Sequence, residues 1–310
     1  MSTLTNDAAA GALVPPPPRR RRRSAQQATA LTAVMFLLPA FLLLVVLRFV
    51  PMGDAALASL QRDSLSADGG SWVGLDNYAY LFSLPQFWST VRVTAIFLLV
   101  IVPFQVLIAL AFALLLAEKL PGVAVVRVLI FIPVAAPAAV ATLVWGVAFR
   151  PEGPINAVLG LVGIPAQPFL TSPDQALMAM IILMSWIGIG YWTLFLLAGV
   201  QDVPGELYEA AAIDGAGWWR CLWSITLPNI SRTILFVVVA NTVASSLAFV
   251  PVQILTQGGP AGSTRLYMYD LYNTTFLLGD VNLGQAQVVL MLVALVAITG
   301  VQFRMLTKEG

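Results

Sequence analysis

The sequence predicts an all-α integral membrane protein with about six transmembrane helices, on three observations. The chain of 310 residues is 59% hydrophobic. Only 10% of it is charged, against about 25% in an ordinary soluble domain. Its apolar residues gather into six runs near the length of about 20 residues that crosses a hydrocarbon core of about 30 Å. The runs are 28–49, 93–116, 128–149, 176–200, 233–255 and 286–303, and Arg48 carries the one formal charge inside them.

In chain order, residues 1–27 come first. Their "VPPPPRRRRR" cannot bury apolar surface and reads as a disordered cytoplasmic tail, its arginines held near anionic lipid. Run 28–49 follows this basic cluster as in an export signal, but it exceeds the roughly 7 to 15 residues of a signal core and is followed by five more runs. An uncleaved anchor is expected. The outer segment 51–92 carries "WVGLDNYAYLF", a mixture of aromatic and turn residues that reads as a small packed cap. Segment 150–175 is rich in proline and glycine. Segment 256–284 opens with "TQGGPAGST", a turn at Gly258, Gly259 and Pro260, after which "LYMYDLYNTTF" suits a short interfacial helix with its tyrosines at headgroup level. Residues 28–304 form the membrane domain and 305–310 a second cytoplasmic tail.

Lysine and arginine set the orientation, because they stay on the cytoplasmic side. With the N-terminus inside, eleven of the sixteen are cytoplasmic: Arg19 to Arg23, Lys119, Arg127, Arg220, Arg232, Arg304 and Lys308. Arg48, Arg62, Arg92, Arg150 and Arg265 form the outer set. Both termini and the segment 201–228 are then cytoplasmic.

Several chemistries are excluded or disfavoured. A net charge of +1 gives no reason to expect nucleic acid. With no histidine and one cysteine, Cys221, an intramolecular disulfide is impossible and a metal site is not expected. No G-x-x-x-x-G-K-[ST] phosphate loop occurs. No pair of carboxylates lies in an apolar run to act as acid and base. The chain is expected to be no enzyme, with no cofactor of its own.

Segment 201–228, "QDVPGELYEAAAIDGAGWWRCLWSITLP", breaks the apolar pattern. Turn chemistry at Asp202, Pro204 and Gly205 precedes the helix former "ELYEAAAI". Gly215 accommodates a left-handed bend, so a second helix can start at a new angle. The tryptophans at 218, 219 and 223 would cover an apolar surface or the lipid interface and stiffen the elbow, and Pro228 would end it. Such a segment serves equally as an interfacial anchor or as a docking elbow for a soluble partner. Spacing decides. Glu209, Ala210, Ala211, three residues, Gly215, nine residues, Ile225, one residue, Leu227 and Pro228 resemble the E-A-A-x3-G-x9-I-x-L-P loop of permease subunits of bacterial ABC importers. Asp214 and Ala216 around the glycine, with "LTQGGPAGST" and "GLDNYAYLF", are similar to the carbohydrate branch of the maltose and glycerol-3-phosphate type. Leu222 stands where that pattern usually has phenylalanine.

The resemblance covers the chain from about residue 28 and implies the type I ABC importer permease arrangement, with the coupling helix between spans 4 and 5. It further implies a bacterial inner-membrane location and three kinds of protein partner: a second homologous permease, an ATPase dimer that binds ATP and Mg, and an extracytoplasmic solute-binding protein. Glu209 would contact the ATPase and Gly215 would supply the bend. A solute path is expected among Trp186, Tyr191 and Trp192 of the fourth run and Asn241, Thr242, Ser245, Ser246, Phe249 and Gln253 of the fifth, whose spacing places them on one helix face. Polar groups in hydrocarbon face a cavity or a neighbouring helix, and small-residue helix packing explains the same pattern. A sugar is the solute the aromatic and amide residues suit. Glycerol phosphate, an amino sugar or a peptide are alternatives. A secondary carrier would show an intramembrane carboxylate, and the six runs contain none.

Overall fold

The computed structural model describes residues 20–62, 71–118 and 121–307, and side chains from 32 to 305 within them. The tail 1–19, Lys119 and Lys308 lie outside the described residues. By its internal contacts the chain divides into Met1–Asp54 and Ala55–Gly310.

The first unit holds helix α1 (Arg20–Leu44), which starts eight residues before the predicted run, and a wider π turn at Val45–Phe49. Helix α2 (Val50–Ala58) continues the same rod into the second unit. Thr32–Ala58 is long and apolar enough to cross a membrane. Its large side chains, Phe36 and Leu47 among them, are exposed along its length.

In the second unit the segment after the first apolar stretch forms a small cap. Strands β1 (Gln61–Arg62) and β2 (Ser71–Trp72) pair antiparallel, and α3 (Asp76–Ser83) follows. Asn77 is buried and donates from Nδ2 to the carbonyls of Ser59 and Gln61, both at 2.8 Å. This asparagine ties the cap to the end of the first apolar stretch.

The core is a pair of long helices, α4 (Pro85–Ala117) and the later α8 (Ala176–Gln201). Phe97, Ile101, Ala109 and Ala113 of α4 are buried with Met180, Trp192 and Leu196 of α8. Small residues let such helices approach closely where apolar area alone cannot drive association. Between them run α5 (Val123–Ala135), α6 (Ala138–Ala148) and α7 (Pro154–Leu161). A Cβ on Gly190 would run into the Ile130 carbonyl of α5, so this contact is made backbone to backbone.

Two predicted spans are corrected. The run 128–149 is not one helix, because α5 and α6 meet at 105°. Pro137 offers no N–H and holds Ala136 extended, at φ −77° and ψ 130°. The run 233–255 is also interrupted. After α9 (Gly205–Ile213), α10 (Trp218–Cys221) and α11 (Leu227–Asn229), helix α12 (Ser231–Ser246) stops nine residues early. There Ser246 bonds back to the Thr242 carbonyl, and a π turn, Val252–Thr256, follows Pro251. The break before α12 falls at Ile230 and not at Pro228, with a 68° bend between 218–229 and 231–246. Among the described residues four helices are long enough to cross a membrane, or six spans if each bent pair counts as one.

The chain closes with α13 (Tyr267–Tyr272) and α14 (Val281–Thr307). The tyrosines expected at headgroup level are not all there: Tyr267 and Tyr269 are buried. Tyr267 donates its hydroxyl to the Gln287 carbonyl of α14 at 2.9 Å. Its backbone N–H bonds to Thr94 Oγ1 of α4 at 2.9 Å. The hydrogen-bonding capacity of Tyr267 is used inside the fold.

Candidate functional site

The first candidate region is the elbow. Pro204 is extended and begins α9. The helix ends at Asp214, and Gly215 adopts φ +72°, which only glycine takes without strain. The Ala216 N–H returns to the Ala211 carbonyl at 2.9 Å, closing the helix end in a Schellman-type cap. Gly217 is extended and starts α10, so the two helices diverge as the spacing predicts.

Glu209, Ala210, Asp214, Gly215 and Pro228 are exposed, while Ala211, Ala216, Ile225 and Leu227 are half-buried. Ile213 is 88% exposed at the end of α9. Trp218, Trp219 and Trp223 are 52%, 68% and 67% exposed. Leu222, Thr226 and Ile230 are the buried residues there, and Trp218 borders the cavity behind the elbow together with Leu222 and Thr226. Behind the elbow lies a cavity of about 740 Å³ bordered by Glu118, Gln201, Tyr208, Cys221 and Thr226.

The second region is a cavity of about 380 Å³ among α4, α5, α8 and α12. Tyr191, Trp192, Asn241, Ser245 and Phe249 line it, the last of them beyond the end of α12. Asn241 is 1% exposed and accepts from Ser245 Oγ at 3.0 Å. Its Nδ2 has no partner among the described residues. A buried donor left unpaired costs about 1–3 kcal/mol.

The other path residues are not on this face. Trp186 packs edge-on against Trp145 at 5.9 Å. Thr242 accepts from Gln302 Nε2 of α14 at 2.8 Å, and Ser246 borders an apolar groove between α4 and α14. Gln253 lies in the π turn beyond the end of α12. Residues one apart on a helix differ by about 100° in direction, so 241 and 245 face the cavity while 242 and 246 face α14. Extrapolating the face to 253 also fails because the helix has already stopped.

Gln105 is the cavity residue that pattern reading missed. Its Oε1 accepts from Trp192 Nε1 at 3.1 Å, and its Nε2 donates to the Met184 carbonyl at 3.2 Å. Gly188 makes room for it, since a Cβ there would lie 2.7 Å from Gln105 Nε2. The available signal was that Gln105 is the only amide in the run 93–116.

Fold and site together define a polytopic helical membrane protein with a neutral cavity between its helices and a projecting helical elbow on one side. The chain belongs to the family described as binding-protein-dependent transport system inner membrane component, which matches residues 8–308. It is similar to the trehalose/maltose transport system permease protein MalF of Thermococcus litoralis, 33% identical over 269 residues, covering 86% of this chain and 90% of that protein. It is likewise similar to the sn-glycerol-3-phosphate transport system permease protein UgpA of Agrobacterium fabrum, 33% identical over 279 residues, covering 87% and 93%. In backbone it matches a chain of a bacterial ABC transporter involved in the import of the acidic polysaccharide alginate. There the TM-score is 0.79 at 21% identity, covering 94% of this chain and 99% of that one.

Proposed function

We propose that this chain is one of two membrane-spanning subunits of an ATP-driven importer that moves a sugar or sugar-like solute into the bacterial cytoplasm. In this reading the elbow seats in a separate ATPase subunit, where ATP and Mg are bound, with Glu209 in contact and Gly215 supplying the bend. Closure of an ATPase dimer would push the elbows together. The push would pass through residues 225–228 into α12 and rock the membrane helices between outward and inward openings. A solute-binding protein would deliver cargo on the opposite side, and both termini would be cytoplasmic.

The observation that carries this reading is the exposed elbow, whose motif residues lie outside the chain's own core. The solute class is supported by the cavity. All its lining residues are neutral, aromatic faces suit the C–H face of a sugar, and the unpaired Asn241 amide suits a hydroxyl. The relatives' names include glycerol 3-phosphate, a charged solute that this neutral lining favours less. Gly215→Pro and Glu209→Lys are each expected to abolish uptake and solute-stimulated ATP hydrolysis in the assembled transporter while the chain still reaches the membrane. Normal transport by both variants would contradict the coupling role.

A further inference from the structure

The elbow is held by remarkably few contacts for a part that must transmit motion, and one of them has the geometry of a brace. Helix α9 is nearly all exposed, with only Tyr208 and Ala211 partly covered. Behind it lies the cavity of about 740 Å³, which Gly205 and Tyr208 of α9 border together with Leu114 and Ala117 of α4 and Val200 and Gln201 of α8. Among the described residues, a single side-chain hydrogen bond joins α9 to any other element. Tyr208 Oη lies 2.9 Å from Thr226 Oγ1 and spans 18 positions of sequence.

Thr226 is suited to receive a load. It is 4% exposed and is the last residue of the π turn that leads into α11. Its carbonyl accepts the N–H of Ile230 at 3.0 Å, and Ile230 is buried at the bend before α12. Its hydroxyl also lies 3.4 Å from the Cys221 carbonyl, so the phenol of Tyr208 donates to Thr226 while Thr226 points its own proton at that carbonyl. The other connection between α9 and α12 is the backbone through Gly215, whose surroundings are open: a Cβ there would meet nothing within 4 Å. The cap closes that bend locally, with the Ala216 N–H on the Ala211 carbonyl at 2.9 Å, and a second link that closes the triangle is what lets the connection as a whole transmit a push.

We infer that the Tyr208–Thr226 hydrogen bond is that second link, and that Tyr208 and Thr226 are positioning residues which make the elbow rigid enough to convert ATPase closure into movement of α12. This rests on the coupling function proposed for the elbow. Without the bond, α9 could follow the ATPase while the base of α12 stayed behind, so hydrolysis would continue with less solute moved.

The test uses the complete transporter in proteoliposomes with its solute-binding protein, and reads solute molecules taken up per ATP hydrolysed. Tyr208→Phe keeps the ring and removes the hydroxyl, and Thr226→Val keeps the shape. Each is expected to lower the ratio roughly fivefold, the factor that corresponds to one lost hydrogen bond. Thr226→Ser is expected to keep the normal ratio, and the Tyr208→Phe/Thr226→Val double variant to be no worse than either single one. A normal ratio in Tyr208→Phe, or uptake and hydrolysis falling together at an unchanged ratio, would overturn the strut. So would a Thr226→Ser variant as uncoupled as Thr226→Val. Gly215→Pro and Glu209→Lys measured in the same vesicles separate the two ideas. If they abolish transport while Tyr208→Phe keeps its ratio, only the strut falls, whereas normal transport by both removes the coupling reading beneath it.

Discussion

The elbow at 201–228 and the outer return at 256–278 are both glycine-bearing connections between membrane spans, yet they are built in opposite ways. In the outer return the polar side chains face inward. Asp270 is buried and accepts from Arg265 Nε and, at 2.9 Å, from Gln287 Nε2 of α14. Thr264 is buried with its hydroxyl 2.6 Å from the Gly259 carbonyl. In the elbow Glu209, Ala210, Asp214, Gly215 and Pro228 are exposed, as is Ile213, and Trp219 and Trp223 are about two-thirds exposed. Even the glycines differ. Gly258, at φ +82°, has no room for a side chain, since a Cβ would lie 2.9 Å from the Tyr269 ring, whereas Gly215 has open space around it. One connection is specified by its own packing, and the other leaves its surface free for the docking proposed above.

That contrast can be broken by substitution, starting with the buried charge. Asp270→Ala leaves Arg265 and Gln287 without their acceptor and is expected to cost about 3 kcal/mol, read as a large drop in the thermal denaturation midpoint of the purified protein in detergent. Glu209→Ala should shift stability by no more than about 0.5 kcal/mol while uptake collapses. Equal destabilisation by the two would erase the distinction. Next come the glycines. Gly258→Ala meets both backbone strain and the Tyr269 ring and is expected to cost about 2 kcal/mol, against about 1 kcal/mol for Gly215→Ala, where strain acts alone. The same denaturation measurement ranks them.

Another small expected effect on stability is the most informative about the cavity. Asn241→Leu removes an amide whose Nδ2 has no partner among the described residues, so stability should change by less than about 1 kcal/mol and in either direction. Solute uptake should weaken about tenfold, the value of one good hydrogen bond to the solute. Gln105→Leu gives the counter-case, because that amide is already bonded to Trp192 and Met184. A midpoint drop larger than that of Asn241→Leu is expected.

Much of this was legible in the sequence, for identifiable reasons. Hydropathy located the four long apolar helices and both bent pairs, because lipid demands a run of apolar residues whatever the packing. The elbow's bend was legible because a left-handed residue between two helix formers has few solutions other than glycine. The breaks were not. Pro103 sits inside an unbroken α4, while Pro137 separates α5 from α6 by 105°. Proline removes a hydrogen bond in both places, and neighbouring helices decide whether the chain continues. Side-chain direction was equally hidden: the periodicity that grouped residues 241 to 253 assumed a helix that stops at Ser246. The tryptophans at 218, 219 and 223 were legible as an aromatic cluster, but their spacing did not show that Leu222, Thr226 and Ile230 are the residues buried within the chain.

The central claim is that α9 docks on an ATPase subunit, and a cross-link tests it most directly. Cys221 is the only cysteine, so a Cys221→Ser background allows Ile213→Cys to place a single thiol at the exposed end of α9. With the assembled transporter in native membranes, a short thiol-to-amine cross-linker is expected to join this chain to the ATPase subunit, and the yield should change when nucleotide is added. A thiol that never joins the ATPase, and that reacts with a water-soluble maleimide as fast in the complex as in the chain alone, would contradict it.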